Sequence, residues 1–371
     1  MAQLEDFPLV SVLCICGAHG RFVGECLRSV EAHTWPNLEI LELDNASSDN
    51  TLAVIEGWAA STGRQHQIIR QEQPAGVCRN FNTLFARATG EYFCLLAADD
   101  VLLPEKCERQ VRLLQAAPED VAVVYSDATQ IDEQGNPWPG MFISSHRKRD
   151  DCPDGEVLGE LLKGNWIPVH GALIRRSAWA GCGPWDESLV YEDWDMWLRL
   201  AAEYRYLFDS VPSAVYRIVS TSLSRTVLQR STAAMRWSVI TIKARAASFA
   251  SIPASERCRL LAGALEEIVA LDEADWPAAA RLHTLFDLCA EPAVLAAARG
   301  PGPAEIPMLA ARAVELRRLE SLLRAGEKAI NARRATEARP KPTEASPSAA
   351  RPSARSRISR LWHSLRPPTS T

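Results

Sequence analysis

The chain lacks most of the features that sort a protein quickly. No uninterrupted apolar run approaches the ~18 residues that cross a bilayer, so no membrane span is expected. The opening Met-Ala-Gln-Leu-Glu-Asp has neither the basic start nor the apolar stretch of a signal peptide, which points to a cytoplasmic protein. There are ten cysteines but no Cys-x-x-Cys, and seven histidines but no His-x-x-x-His, so a zinc site is not expected. Cys14, Cys16 and Cys94 fall inside apolar runs and read as buried, reduced thiols. No Gly-x-Gly-x-x-Gly follows a strand-like run. Gly159 to Gly164 has P-loop spacing, but Asn165 stands where the lysine belongs. A nucleotide, if one binds, must be held by a metal and scattered polar groups. No internal repeat is visible.

What is present fits an ordinary globular chain. The 371 residues suffice for a large core and two domains, and 47% apolar with 23% charged residues is a soluble composition. The net charge of −5 is uneven: the last 40 residues, from Ala332, carry nine Lys/Arg against two Glu, a net +7, which leaves −12 for the rest. An acidic body argues against a nucleic-acid partner, and the basic tail needs its own explanation.

The chain is organised around Asp99 and Asp100. Phe93 to Ala97 reads as a buried strand that stops on these two carboxylates, and Pro104 opens a helix beyond them. Ligands of open α/β sheets bind at that strand edge. Adjacent carboxylates repel unless something positive lies between them, and a divalent metal carrying a diphosphate suits. A solvated turn with an aspartate helix cap is the plain alternative.

Strand and helix patterns alternate before this point. Leu9 to Cys16, Leu38 to Leu43 and Gln67 to Arg70 read as strands, the second ending on Asp44-Asn45. Helical spacing follows in Phe22, Val23, Cys26, Leu27 and Val30, in Leu52, Ile55 and Trp58, and in Val77, Phe81, Leu84, Phe85 and Ala88. A helix around Cys107, Val111 and Leu114 and a strand Val121 to Tyr125 complete the alternation. This half predicts a mostly parallel sheet flanked by helices. Residues 127 to 155 are polar and read as a long loop. A short helix Leu158 to Leu162, a strand Ala172 to Arg175, a helix Glu192 to Ala202 and a strand Ala214 to Ile218 follow.

The fold class is therefore α/β, with three parts: residues 1–225, a helical region 226–334 with breaks near Pro253, Pro277 and Pro301, and a Pro/Ser/Arg-rich tail 335–371 of disordered composition. Within the tail, Ile358, Leu361, Trp362 and Leu365 share one helical face, bordered by Arg357, Arg360 and Arg366. Such a segment, 357–366, suits weak binding to an anionic membrane surface, with a solvated tail as the plain alternative.

Four further residues carry candidate chemistry. Asp44, at a strand end, can accept hydrogen bonds from a base or ribose, or cap a turn. Arg79, one turn into its helix, can reach diphosphate oxygens, or be a surface arginine. Glu192 and Asp193 open a tryptophan-rich helix, where the dipole favours ionised carboxylates; this suits a general base, or dipole complementarity alone. Trp185 and Trp194 flank them and can stack on a sugar or belong to the core.

Over about residues 8 to 225 the chain resembles the family 2 glycosyltransferases of GT-A fold. The resemblance rests on Leu9-Val-Ser-Val-Leu, on Thr34-Trp-Pro-Asn-Leu-Glu-Ile-Leu-Glu-Leu-Asp44-Asn-Ala-Ser-Ser-Asp-Asn-Thr51, and on Arg79-Asn80 with Ala88-Thr-Gly-Glu-Tyr92. It continues in Asp99-Asp100 with Leu103-Pro104, and in Trp185-Asp-Glu with Glu192-Asp-Trp-Asp-Met-Trp-Leu-Arg199. The resemblance implies an inverting transfer of a sugar from a nucleotide-diphosphate donor to the hydroxyl of a glycan or lipid-linked acceptor, in cell-surface polysaccharide synthesis. It implies Asp44, Arg79 and Asp99 at the donor, and Asp100 at the donor and as ligand of Mg²⁺ or Mn²⁺. It implies Asp193 as base, with Glu192 beside it at the acceptor.

Three stretches depart from the family pattern. Ile15-Cys-Gly-Ala18 replaces a Pro-Thr-Tyr-Asn-like run, Ala97 replaces the first acid of an Asp-x-Asp-Asp form, and Val219 stands where relatives have a histidine near the metal. Two other classes stand beside the transferase: a degenerate, non-catalytic member that binds a nucleotide or a partner, and a glycoside hydrolase, which also pairs carboxylates.

Overall fold

A computed structural model describes residues 7–148, 151–222, 225–226 and 232–269. The tail 335–371 with its segment 357–366, and the expected breaks near Pro277 and Pro301, lie outside the described residues.

The first half alternates as its apolar periodicity dictates. In order come β1 (Val10–Cys16), α1 (Val23–Glu31), β2 (Leu38–Asp44), α2 (Thr51–Ala59), β3 (Gln65–Arg70), α3 (Val77–Phe85) and β4 (Tyr92–Ala97). Then follow β5 (Val101–Leu102), α4 (Lys106–Ala116), β6 (Val121–Ile131), β7 (Pro137–Trp138), α5 (Phe142–Arg147) and α6 (Leu158–Leu161). A 3₁₀ turn, Val169–Gly171, leads into β8 (Ala172–Arg175), α7 (Arg176–Cys182), α8 (Glu192–Glu203), β9 (Arg205–Arg217), α9 (Ala233–Ala247) and α10 (Ala254–Val269). The break between α9 and α10 contains Pro253, as its missing N–H requires.

One mixed sheet runs β3-β2-β1-β4-β8-β6-β9-β5, with β7 on β6. β3, β2, β1 and β4 are mutually parallel, as are β6 and β9; β8 is inserted antiparallel between β4 and β6. Successive residues of β1 enter opposite layers: Leu13 packs with Leu41, Phe93 and Trp185, whereas Val12 and Cys14 pack with Ile40, Cys94 and Val111. A strand buried on both faces needs the uninterrupted apolar run seen here.

Four motif residues turn out to be scaffold. Glu39 of β2 accepts hydrogen bonds from Ser11 Oγ (2.6 Å) and from the amides of Thr89 (2.7 Å) and Gly90 (3.1 Å). A Cβ at Gly90 would lie 2.7 Å from Ser11 N and 2.8 Å from Leu9 O, so only glycine fits where β4 enters the sheet. Trp185 is buried among Phe81, Phe85, Phe93 and Trp179. Trp194 is buried with its Nε1 donating to Leu161 O at 2.8 Å. Both tryptophans are core, not sugar platforms.

Residues 127 to 155 are not the continuous loop expected from their polarity. β6 continues to Ile131, β7 forms a short hairpin with it, and α5 follows. β9 likewise begins at Arg205, well before the expected Ala214. The two strands pair in parallel along their length, with a register shift between Ser126 and Ala128. Asp127, in that shift, accepts from the amides of Ala128 and Ile143 at 2.8 and 2.9 Å. A bulge interrupts the apolar period and thereby hides a strand from a pattern search.

Candidate functional site

The site gathers at the carboxyl edge of the parallel strands. Asp44 ends β2 opposite Cys16 of β1, and Ala97 ends β4 opposite Ile15. Asp44 and Asp99 therefore flank β1, two strand spacings or roughly 10 Å apart. Asp44 is 4% exposed, caps no turn, and its Oδ1 has no hydrogen-bond partner. A buried carboxylate oxygen left unpaired costs free energy unless a ligand satisfies it. Around it, Asn45 holds the next loop by exchanging hydrogen bonds with Ala75, at 2.8 and 3.1 Å. Gln71 donates to Asn80 at 2.9 Å and leaves its own buried Oε1 unpaired. Arg79, on α3, is exposed and makes no hydrogen bond or ion pair with the other five candidate residues.

Asp99 and Asp100 are both buried. Asp100 Oδ1 accepts from Arg217 N at 2.9 Å, and its Oδ2 lies 3.2 Å from His170 Nδ1. Burial and the Asp100 charge push Asp99 up to about 6, against the pull of His19 and His170. Arg217 ties this edge together. Its Nε donates to Asp99 O at 2.8 Å, its Nη2 to Glu25 at 2.6 Å, and its guanidinium covers the Phe22 ring at 4.8 Å.

Sequence reasoning missed His170, Arg217 and His19. His170 precedes β8, and because β8 runs antiparallel to β4, its start lies at the aspartate edge. The ring is buried, stacks on Tyr216 at 5.5 Å, and leaves Nε2 without a partner. Its signal is faint: a His-Gly pair before a short strand. A Cβ at Gly171 would lie 2.6 Å from Ser126 O, so that glycine permits the close approach.

Glu192 and Asp193 begin α8. Asp193 Oδ2 accepts from Asn165 Nδ2 at 2.7 Å, and its Oδ1 from Trp194 N at 2.8 Å. Burial still pushes Asp193 up to about 6, while Asn165 and the His170 charge draw it down. The pull of His170 on both Asp99 and Asp193 puts the aspartate pair and the α8 carboxylates in one field. Burial and the neighbouring Asp193 push Glu192 up to about 8. The helix dipole was expected to keep both ionised. Desolvation opposes it at both, most strongly at Glu192. Behind α8, Asp195 pairs with Arg199 at 3.0 Å and with Arg245 of α9, which also reaches Asp186 at 2.6 Å.

Among the described residues no three His, Cys, Asp or Glu side chains are grouped to hold a metal by themselves. The donor set still fits an Mg²⁺ or Mn²⁺ that arrives with a diphosphate. Such ions need only one or two protein carboxylates beside phosphate oxygens and water. Asp100 keeps lone pairs beyond its two contacts, and the unpaired Nε2 of His170 is close by.

The fold is GT-A-like. It superimposes on Staphylococcus aureus TarS 1-349 in complex with UDP-GlcNAc with a TM-score of 0.55 at 14% identity, covering 81% of this chain and 83% of that one. Residues 12–178, just under half of the chain, match the sequence model "Glycosyl transferase family 2", and this stretch is similar to that family. An uncharacterized glycosyltransferase of Rickettsia prowazekii is 27% identical over 238 residues, 62% of this chain and 70% of that protein. The O-antigen biosynthesis protein RfbC of Myxococcus xanthus is 29% identical over 203 residues, 54% of this chain but 15% of its own length. None of the described helices is long and apolar enough to cross a membrane.

Proposed function

We propose that the protein transfers a sugar from a nucleotide-diphosphate donor to an acceptor hydroxyl with inversion, in the synthesis of a cell-surface glycan. The observation that carries this reading is the set of carboxylates at one sheet edge, Asp44 with an unpaired oxygen and Asp99-Asp100, with Asp193 of α8 in the field of the same His170 that contacts Asp100. Asp44 accepts hydrogen bonds from the base, and Asp99 faces the ribose. Arg79, exposed at the start of α3, swings onto the diphosphate. Asp100 holds a divalent cation, which when bound neutralises charge on the departing diphosphate. Asp193, kept in its carboxylate form by Asn165, takes the proton from the acceptor hydroxyl. Glu192, protonated, donates to an acceptor oxygen. The likeness to a protein named for O-antigen biosynthesis supports a surface glycan as product. The basic segment 357–366 would bring the enzyme to an anionic membrane, and liposome co-sedimentation of the full chain against a truncation at Ala335 tests that.

A thermal-shift panel of UDP, dTDP, GDP and CMP sugars, with and without Mn²⁺, tests the donor site. A metal-dependent shift with one nucleotide, lost in Asp100→Asn, is expected. No shift with any nucleotide would favour a non-catalytic member of the family.

A further inference from the structure

A cavity of 170 Å³ opens beside the base, lined by His146, Arg147, Glu160, Lys163, Asn165 and Trp166. It is smaller than the ~300–1,000 Å³ clefts that enclose whole ligands, and so has room for one group of a larger molecule. Its wall is rich in unused donors. The Arg147 side chain is only 4% exposed, yet its Nε and Nη1 have no hydrogen-bond partner. Only Nη2 is engaged, by Glu160 at 3.1 Å and Asp151 at 3.3 Å. The Arg147 guanidinium carbon lies over the Trp166 ring, 4.4 Å from its centroid, and the buried Nε1 of Trp166 is likewise unpaired. Lys163, 66% exposed at the rim, reaches Glu160 at 2.6 Å. Against these donors stands one unpaired acceptor, Asn165 Oδ1. Asn165 also joins the cavity to the chemistry, because its Nδ2 holds Asp193.

The unpaired Nε and Nη1 of a buried guanidinium each offer one charge-assisted N–H bond, which an oxyanion accepts more strongly than a neutral oxygen does. We infer that this cavity is an acceptor subsite that recognises an acidic group, a carboxylate or a phosphate, on the glycan whose hydroxyl meets Asp193. The inference rests on the glycosyltransfer reading for the identity of its ligand, but not for the anion site itself. A neutral hydroxyl would accept from the free Arg147 N–H groups more weakly. An acidic group satisfies them and sets the register of the hydroxyl over the base.

The test uses the full chain labelled with 5-fluorotryptophan, with the Trp166 resonance assigned through Trp166→Phe. The probes are glucuronate, glucose 6-phosphate and glucose in phosphate-free buffer. The expected result is a saturable shift of the Trp166 signal with one or both anions and none with glucose; which anion acts distinguishes a uronic acid from a phosphate ester. Arg147→Gln should weaken that binding at least tenfold. Lys163→Gln, at an exposed side chain that leaves the fold alone, should weaken it two- to fivefold. Equal shifts with glucose, no shift with either anion, or anion binding unchanged in both variants would overturn the inference. The nucleotide panel is read separately. A silent Trp166 with a working nucleotide site removes the anion subsite alone. A responsive Trp166 with no nucleotide response removes the transferase reading and leaves the anion site.

Discussion

His170 Nδ1 lies 3.2 Å from Asp100 Oδ2, with both side chains buried. The imidazole thereby fixes the orientation of the carboxylate proposed to hold the cation, and its own Nε2 is buried without a hydrogen-bond partner. Partners of metal-ligating groups typically change metal affinity by about 10–100-fold when removed. His170→Ala should weaken metal-dependent donor binding within that range, read by calorimetric titration with the nucleotide that responds in the thermal-shift panel. Unchanged affinity would make His170 a packing residue.

Asp193→Asn should lower kcat by about 10²–10⁴-fold, the usual contribution of a positioned base, while donor binding persists. The acid limb of the kcat profile in the wild type should fall near pH 6, because burial has raised the carboxyl to that value. The Asn165 hydrogen bond favours the charged form. Asn165→Leu should therefore move the acid limb to higher pH, and a profile that stays in place would detach Asn165 from the base.

Glu42, in the middle of β2, is fully buried with both carboxylate oxygens unpaired. Burial raises it from 4.5 to about 9. Folding thus holds a proton that the unfolded chain releases. The protonated group carries no ionisation penalty below its unfolded value of 4.5, and stability is lost as pH rises from there toward about 9. At pH 7 the loss is at most about 3 kcal/mol, taking ~1.4 kcal/mol per pKa unit. Glu42→Gln should flatten this dependence, raising Tm at pH 8 more than at pH 5 in paired melting curves.

Gly171→Ala should destabilise the fold by about 1–3 kcal/mol, the usual range for overpacking. The added Cβ meets Ser126 O at 2.6 Å and Pro168 Cγ at 2.9 Å, so the turn carrying His170 must shift. Urea titration gives the stability change. Donor binding should weaken in the same variant, because Asp100 loses its aligned partner.

Much of this was legible in the chain itself. The apolar runs of β1, β2 and β4 declare strands buried on both faces. Strand ends fixed the places of Asp44, Asp99 and Asp100, and helical periodicity placed Glu192-Asp193 at the start of α8. These follow from local rules, since side-chain period and chain breaks are properties of neighbours in sequence. Tertiary structure decided the rest. The antiparallel insertion of β8 carries His170 to the aspartate edge, and the bulged pairing of β6 with β9 carries Arg217 there. Strand direction and register depend on partners far along the chain, which no local pattern encodes. The upward shift of Glu192 was decided in the same way: its helix position favours the anion, but the surroundings that desolvate it are assembled only on folding.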